Sequence, residues 1–263
     1  MGSATTQALE VTTAALGAAQ GVDLEVAGEL FAAARAIGGS LQLGGALADS
    51  SASPESRAKV IADVFGASFR PVTVSLLSSL VDQRWSRASD LVDGIEELAI
   101  RAAAIGATGS DVEAELFSFS RTVAQNPELE LALGSRLGDS SAKGALITDL
   151  LGERASAATT LIVSSLVRHS RDRRVRSLLN RAMSLVGDQR GRTVATVVSA
   201  APLSDVQRTR LTSALSARYG GDVSLNVVID PSVVGGLRVQ IADDVIDASI
   251  STRLAGLRQR LAG

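Results

Sequence analysis

Cysteine is absent, and histidine occurs once, at His169. The first absence excludes disulfides, thiolate nucleophiles and cysteine-ligated zinc or iron–sulfur sites. The second excludes a histidine-pair metal site. Aromatic residues make up 3% of the 263 positions, so the core has to be aliphatic. Ala, Leu and Val dominate it, a composition that favours closely packed helices. Lysine is nearly missing: Lys59 and Lys143 stand among 26 basic residues. Arginine suits planar, bidentate contacts to carboxylates, but a GC-rich genome gives the same bias and is the plainer account. Long apolar runs are lacking as well. Ala155–Val167 is closed by Arg154 and Arg168, and a spanning helix needs about 20 apolar residues. No basic region followed by an apolar stretch opens the chain. Met1-Gly2 with Thr6 fits only a short, common lipidation pattern. The expectation is a cytosolic or peripheral protein without direct membrane insertion. Net charge is −2, which supplies no global attraction to nucleic acid or an anionic membrane.

What is present is enough for a core: hydrophobic residues reach 46% against 21% charged, far from the composition of disordered chains. An internal repeat organises the first two thirds. Glu29-Leu30-Phe31 recurs as Glu115-Leu116-Phe117, an offset of 115 − 29 = 86. Ile61–Gly66 recurs as Ile147–Gly152, and Ser78–Val81 as Ser164–Val167, at the same offset. Leu47–Ser51 (LADSS) echoes Leu137–Ser141 (LGDSS) at 139 − 49 = 90, which predicts four residues gained before that motif and four lost after it.

Each repeat reads as a bundle of short helices. Ser53-Pro54-Glu55 is a helix start, with a capping acceptor, a preset φ and an acid near the positive helix end; this helix runs to Phe65 and stops at Gly66. The next opens at Pro71. A third covers Arg87–Ile105, with Leu91, Ile95, Leu98 and Ala102 on one stripe. The counterparts in repeat two are Ala142–Leu151, Ala155–Arg168 and Asp172–Val186. Upstream, Thr5–Ala19 and Leu24–Ile37 form a helical pair, and repeat two borrows the helix ending near Ile105 as its own first helix.

The pattern changes after Gly191. Thr193–Ala200 is β-branched and reads as a strand, and Ser204-Asp205-Val206-Gln207 is a capping box opening a helix to about Arg218. Val223–Ile229 and Leu237–Ile241 alternate like half-buried strands. Asp230-Pro231 and Gly235-Gly236 supply turn chemistry. Ile250, Leu254, Leu257 and Leu261 form a stripe on a terminal helix, expected to pack on its own sheet, with presentation to a partner as the alternative. The fold class is mostly α: two tandem helical bundles (1–105 and 106–190) followed by a small α+β domain (191–263).

A search for chemistry assigns no catalytic, cofactor-binding or metal residue. A triad would need His169 as base, but Arg168, Arg171, Arg173 and Arg174 surround it in sequence and disfavour imidazolium; a surface histidine is expected. Gly235-Gly236 lacks dinucleotide-fingerprint spacing. Asp243, Asp244 and Asp247 are too few for a calcium loop and are expected in a turn. The Arg168–Arg176 run invites a nucleic-acid reading. Without interleaved aromatics, a solvated helix start is the first account and a patch for an acidic protein the second.

Two strings carry a family resemblance. VVSAAPLSDVQRTRL (Val197–Leu211) resembles the strand–Pro–helix segment of ATP synthase delta subunits. IDPSVVGGLRVQIADDVIDASISTRLAGLRQRL (Ile229–Leu261) resembles that family's closing signature, with its Asp-Pro turn, Gly-Gly step, β-hairpin, Asp247-x-Ser249 and Arg/Leu helix. Repeat two, through Asn126-Pro127-Glu128-Leu129 and Ser164–Val167, resembles the helical domain that precedes it. Repeat one is the departure, similar to longer actinobacterial forms; the start of the chain resembles the free-standing form rather than a fusion to a membrane-anchored b subunit. The resemblance implies a non-catalytic, cofactor-free stator subunit of the F-type ATP synthase, peripheral on the cytoplasmic face of the cell membrane. Its implied partners are the N-terminal segments of the alpha subunits and the C-terminal helices of subunit b, with no nucleic acid, and the chain is a monomer within the complex. By position the first bundle faces the head and the second is a spacer. A helical regulatory or nucleic-acid-binding module is the alternative.

Overall fold

Capping residues set the helix starts in the computed structural model, which describes residues 2–135, 139–231, 233, 235–241 and 244–247. After α1 (Ser3–Ala18), Asp23 accepts from the N–H groups of Glu25 and Val26 and opens α2 (Leu24–Gly39). Ser40 then opens α3 (Leu41–Ala48), a helix the periodicity does not announce, because its LQLGGALA sequence is weakened by two glycines. Ser53 accepts from the Ser56 N–H to start α4 (Pro54–Phe65), which ends at Gly66 as expected. α5 (Pro71–Asp82) and α6 (Ala88–Gly106) follow. The next five are α7 (Val112–Gln125), α8 (Pro127–Gly134), α9 (Ser140–Leu151), α10 (Ala157–Arg168) and α11 (Val175–Gln189), with a 3-10 turn at Gly152–Arg154.

These bounds restate the repeat. Moved along the chain by 86 residues, α3, α4 and α5 coincide with α8, α9 and α10 at both ends. The offset of 90 therefore does not hold as a structural correspondence. Ser53 caps α4 and Asp139 caps α9, again 86 apart, so the expected gain and loss of four residues does not occur. The two strings match because they make the same local turn at different places. Asp49 accepts from the Ser51 N–H at 2.8 Å, and Asp139 from the Ser141 N–H at 2.8 Å, the Asx-type bond that Asp-x-Ser composition favours anywhere.

Moving α1 by the same 86 places it inside α6. α1 packs on α5, and α6 packs on α10 in the same way, while α6 also closes repeat one against α2. One helix thus holds two positions, which explains its burial. Leu91, Ile95, Leu98 and Ala102 are all 0% exposed, as the stripe predicts, yet Val92, Glu96, Ile100 and Ala103 on other faces are also buried. The hydrophobic cluster is continuous from Ala8 to Val186, and Met1–Val186 forms one compact unit.

Among its described residues the second unit, Gly187–Gly263, forms a four-stranded sheet in the order β2-β1-β3-β4. β1 (Arg192–Ser199) runs parallel to β2 (Asp222–Ile229) through the crossover helix α12 (Asp205–Tyr219). β3 (Leu237–Ile241) and β4 (Asp244–Asp247) add antiparallel pairs. The capping box forms in full: the Ser204 N–H donates to Gln207 Oε1 at 2.9 Å and the Gln207 N–H to Ser204 Oγ at 3.3 Å. Ala195, Val197, Val223, Val239 and Ile241 meet Leu215 in the core. Gly235 and Gly236 take φ of 73° and 84°, the left-handed region a tight turn requires there. Asp244 and Asp247, expected in a turn, are instead the ends of β4. Val245 and Ile246 between them pair with β3, and the Arg238–Asp247 ion pair at 3.2 Å holds this edge. Asp243, Ser249 and the terminal stripe of Ile250, Leu254, Leu257 and Leu261 lie outside the described residues.

Candidate partner-binding surfaces

The conserved frame of each repeat is a glutamate from one helix holding the start of another. In repeat one Arg70, before α5, makes no side-chain cap. Its N–H donates to both carboxylate oxygens of Glu29 at 3.1 Å, and Thr73 Oγ1 donates to the same group. In repeat two Glu115 accepts from the Ser156 N–H at 2.9 Å, from Ser156 Oγ at 2.7 Å and from Thr159 Oγ1 at 2.5 Å. A carboxylate at a helix N-terminus satisfies unpaired N–H groups and faces the positive end of the dipole. This is the physical content of the repeated Glu-Leu-Phe motif, whose leucines, Leu30 and Leu116, are both 0% exposed. A second shared device is a cation closing a loop. Arg57 Nη1 donates to the Asp49 carbonyl at 2.7 Å, and Lys143 donates to the Ser135 carbonyl, both residues having moved by 86.

The Arg168–Arg176 run is a solvated helix start only in part: Arg168, Arg174 and Arg176 are exposed, while Arg171 and Arg173 are half-buried against α6. Arg171 pairs with Asp93 and Glu96, and Arg173 reaches Glu96 at 2.8 Å and Asp93 at 3.4 Å. Arg181 donates to Glu97 at 3.2 Å, and Arg176 pairs with Glu130 at 3.1 Å. Glu96 and Glu97 are 7% and 9% exposed at their side chains; they bury charge on α6 because arginines from repeat two meet it there. The run lies within sequence reach of α11, but the partners of Arg171 and Arg173 are 75 to 80 residues away, which is why composition alone misplaces them. His169 is half-buried against Gly38, where an added Cβ would sit 3.1 Å from Nε2. Burial, then the Arg171 charge, holds its imidazolium pKa below the ordinary value.

What remains for partners is apolar and shallow. A groove of about 190 Å³ between α3 and the start of α6 is lined by Leu41, Gly44, Gly45, Ala88 and Ser89. A groove of about 450 Å³ between α8 and the start of α11 is lined at the matching positions by Pro127, Glu130, Leu131, Arg174 and Val175. Each exposes a leucine, Leu41 at 96% and Leu131 at 75%. Such grooves suit partner helices. Among the described residues no group of three or more metal-binding side chains gathers, and no helix is long and apolar enough to cross a membrane.

Residues 98–261 match the family described as ATP synthase delta (OSCP) subunit. The chain belongs to that family. The match begins inside α6, the helix common to both repeats, and leaves α1 to α5 outside it. Relatives of similar length cover that part too. The protein named ATP synthase subunit delta from Leifsonia xyli subsp. xyli is 46% identical over the whole of both chains. That of Streptomyces avermitilis is 39% identical, covering 91% of this chain and 89% of its own. That of Kineococcus radiotolerans is 38% identical, covering 99% and 95%. Delta subunits are non-catalytic parts of the peripheral stalk, and peripheral components of a membrane-bound complex.

Proposed function

We propose that this delta subunit ties the catalytic head to the stalk, holding the N-terminal segments of the alpha subunits at one end and the C-terminal helices of subunit b at the other. Proton-driven rotation is thereby coupled to ATP synthesis on the cytoplasmic face of the cell membrane. Family membership carries the reading, and the packing of α6 supports it. A tether has to resist torque without internal slip, and a helix shared by two repeats and pinned by Asp93, Glu96 and Glu97 to Arg171, Arg173 and Arg181 leaves little room for one bundle to slide on the other. In this reading residues 1–105 face the head, 106–190 act as a spacer and 191–263 meet the stalk, with one copy per complex. The nucleic-acid alternative is weakened, because Arg171 and Arg173 of the arginine run are already paired with Asp93 and Glu96.

The test uses membranes stripped of this chain. ATP hydrolysis by the head is expected to persist while proton-driven ATP synthesis disappears, and purified full chain is expected to restore synthesis. Undiminished synthesis in stripped membranes overturns the reading.

A further inference from the structure

Two helical glycines seat nitrogen-bearing side chains at the seam between the repeats. Gly144 of α9 lies under Arg168, where an added Cβ would sit 1.9 Å from Nε. Gly38 of α2 lies under His169, where it would sit 3.1 Å from Nε2. At the 86-residue offset Gly144 corresponds to Ala58 of repeat one, and Gly38 to Ala124 of repeat two. A helix interior favours alanine over glycine by about 1 kcal/mol. Each exchange thus gives up helix propensity at a place where a guanidinium or an imidazole takes the room.

The groups so placed converge with a third. α2 packs on α10, which ends at Arg168 with His169 as its C-cap. Arg35 stands three residues before Gly38 on α2, so it shares the face over which the His169 ring lies. Burial and then the Arg168 charge hold the Arg35 guanidinium below its usual pKa, and no carboxylate acts on it. Among the described residues neither Arg35 nor Arg168 has an ion pair or a side-chain hydrogen bond. Asp93 and Glu96, the acids of this seam, are engaged by Arg171 and Arg173. Two like charges from different repeats therefore face each other with nothing between them. A carboxylate has two oxygens to offer such a set of donors. A phosphate group has three or more and pairs with arginine bidentately.

We propose that Arg35, Arg168 and His169 bind a phosphate group, free or carried on a nucleotide, at the junction of the two repeats. The anion offsets the repulsion between the two arginines and ties α2 of repeat one to the end of α10 in repeat two. The site is made by this chain alone and does not need the stator reading.

The full chain is melted in sodium phosphate and in sodium chloride of equal ionic strength, with ATP as a second ligand. About 10 mM phosphate, acting on a site with a Kd of about 1 mM, is expected to raise Tm by about 3–5 °C. Arg35→Gln and Arg168→Gln are each expected to lose that rise. In chloride both variants are expected to hold or gain Tm, because each removes one of two like charges. Arg174→Gln, at an exposed arginine of the same run beside α8, is expected to keep the rise. The His169 ring resonances are expected to shift with phosphate in wild type and not in the Arg35 or Arg168 variants. A larger effect of ATP assigns the site to a nucleotide, and an equal or smaller one to the free ion. Phosphate salts strengthen apolar burial in any protein, so an equal rise in all four chains overturns the proposal. Absence of any rise overturns it too, as does a lower Tm in chloride for both the Arg35 and Arg168 variants.

Discussion

Glu115 accepts two hydrogen bonds from Ser156, one from the backbone N–H at 2.9 Å and one from Oγ at 2.7 Å. Ser156 itself caps α10, its Oγ accepting from the Thr159 N–H at 3.2 Å, and the Glu115 carboxylate in the first turn of α7 holds that cap in place and ties α7 to α10 across 41 residues of chain. Hydrogen bonds to charged groups contribute about 1.5–3 kcal/mol each. Glu115→Ala is expected to lower unfolding free energy by about 3 kcal/mol, and Glu29→Ala by a similar amount. Urea denaturation checks this, and a cycle with Thr159→Ala is expected to show strong coupling to Glu115.

Arg57 is 5% exposed and donates to four carbonyls, those of Val81, Asp49 and Ala52 at 2.7 to 2.8 Å and that of Asp82 at 3.4 Å. Arg57→Ala removes the donor from the buried Val81 carbonyl and from the part-buried Ala52 carbonyl and is expected to cost about 3 kcal/mol. Arg57→Lys copies Lys143 of repeat two, which still closes the equivalent loop, so about half the loss is expected. Equal losses for both variants in thermal unfolding would refute the loop-closing role.

Gly94 lies in mid-α6, where helix propensity favours alanine by about 1 kcal/mol. An added Cβ would sit 2.3 Å from the Trp85 ring, and Trp85 is itself anchored by Nε1 donating to the Leu80 carbonyl at 2.8 Å. Overpacking costs about 1–3 kcal/mol, so the clash outweighs the propensity. Gly94→Ala is expected to destabilise, and Trp85→Phe in the same chain to recover part of the loss, both measured as melting temperature.

His169 faces Arg171, Arg35 and Arg173, which oppose its protonation, and Glu96, which favours it; burial is the largest effect and the net pKa is lowered. The unfolded chain therefore binds a proton first as pH falls. Stability is expected to decline below about pH 6.5, with the loss complete once the folded pKa is passed. His169→Gln removes this contribution. The stability difference between wild type and variant is expected to shift against wild type on acidification through that window; an unchanged difference from pH 7.5 to 5 would refute it.

The sequence by itself determined most of the helix starts, the alternation of β1 to β3 and the 86-residue repeat, because these depend on local chemistry. Ser53-Pro54, the Ser204–Gln207 box and the Leu91–Ala102 stripe act over a few residues, and each sits where it was expected. Matches governed by composition alone misled: Asp-Ser-Ser recurs because it makes a turn, and an arginine run looks solvated when its carboxylates are far along the chain. Only the tertiary structure decided that α6 serves both repeats and that Glu29 and Glu115 hold helices from elsewhere. Those outcomes rest on which surfaces meet in space, and the free energy of a contact depends on its neighbours rather than on distance along the chain.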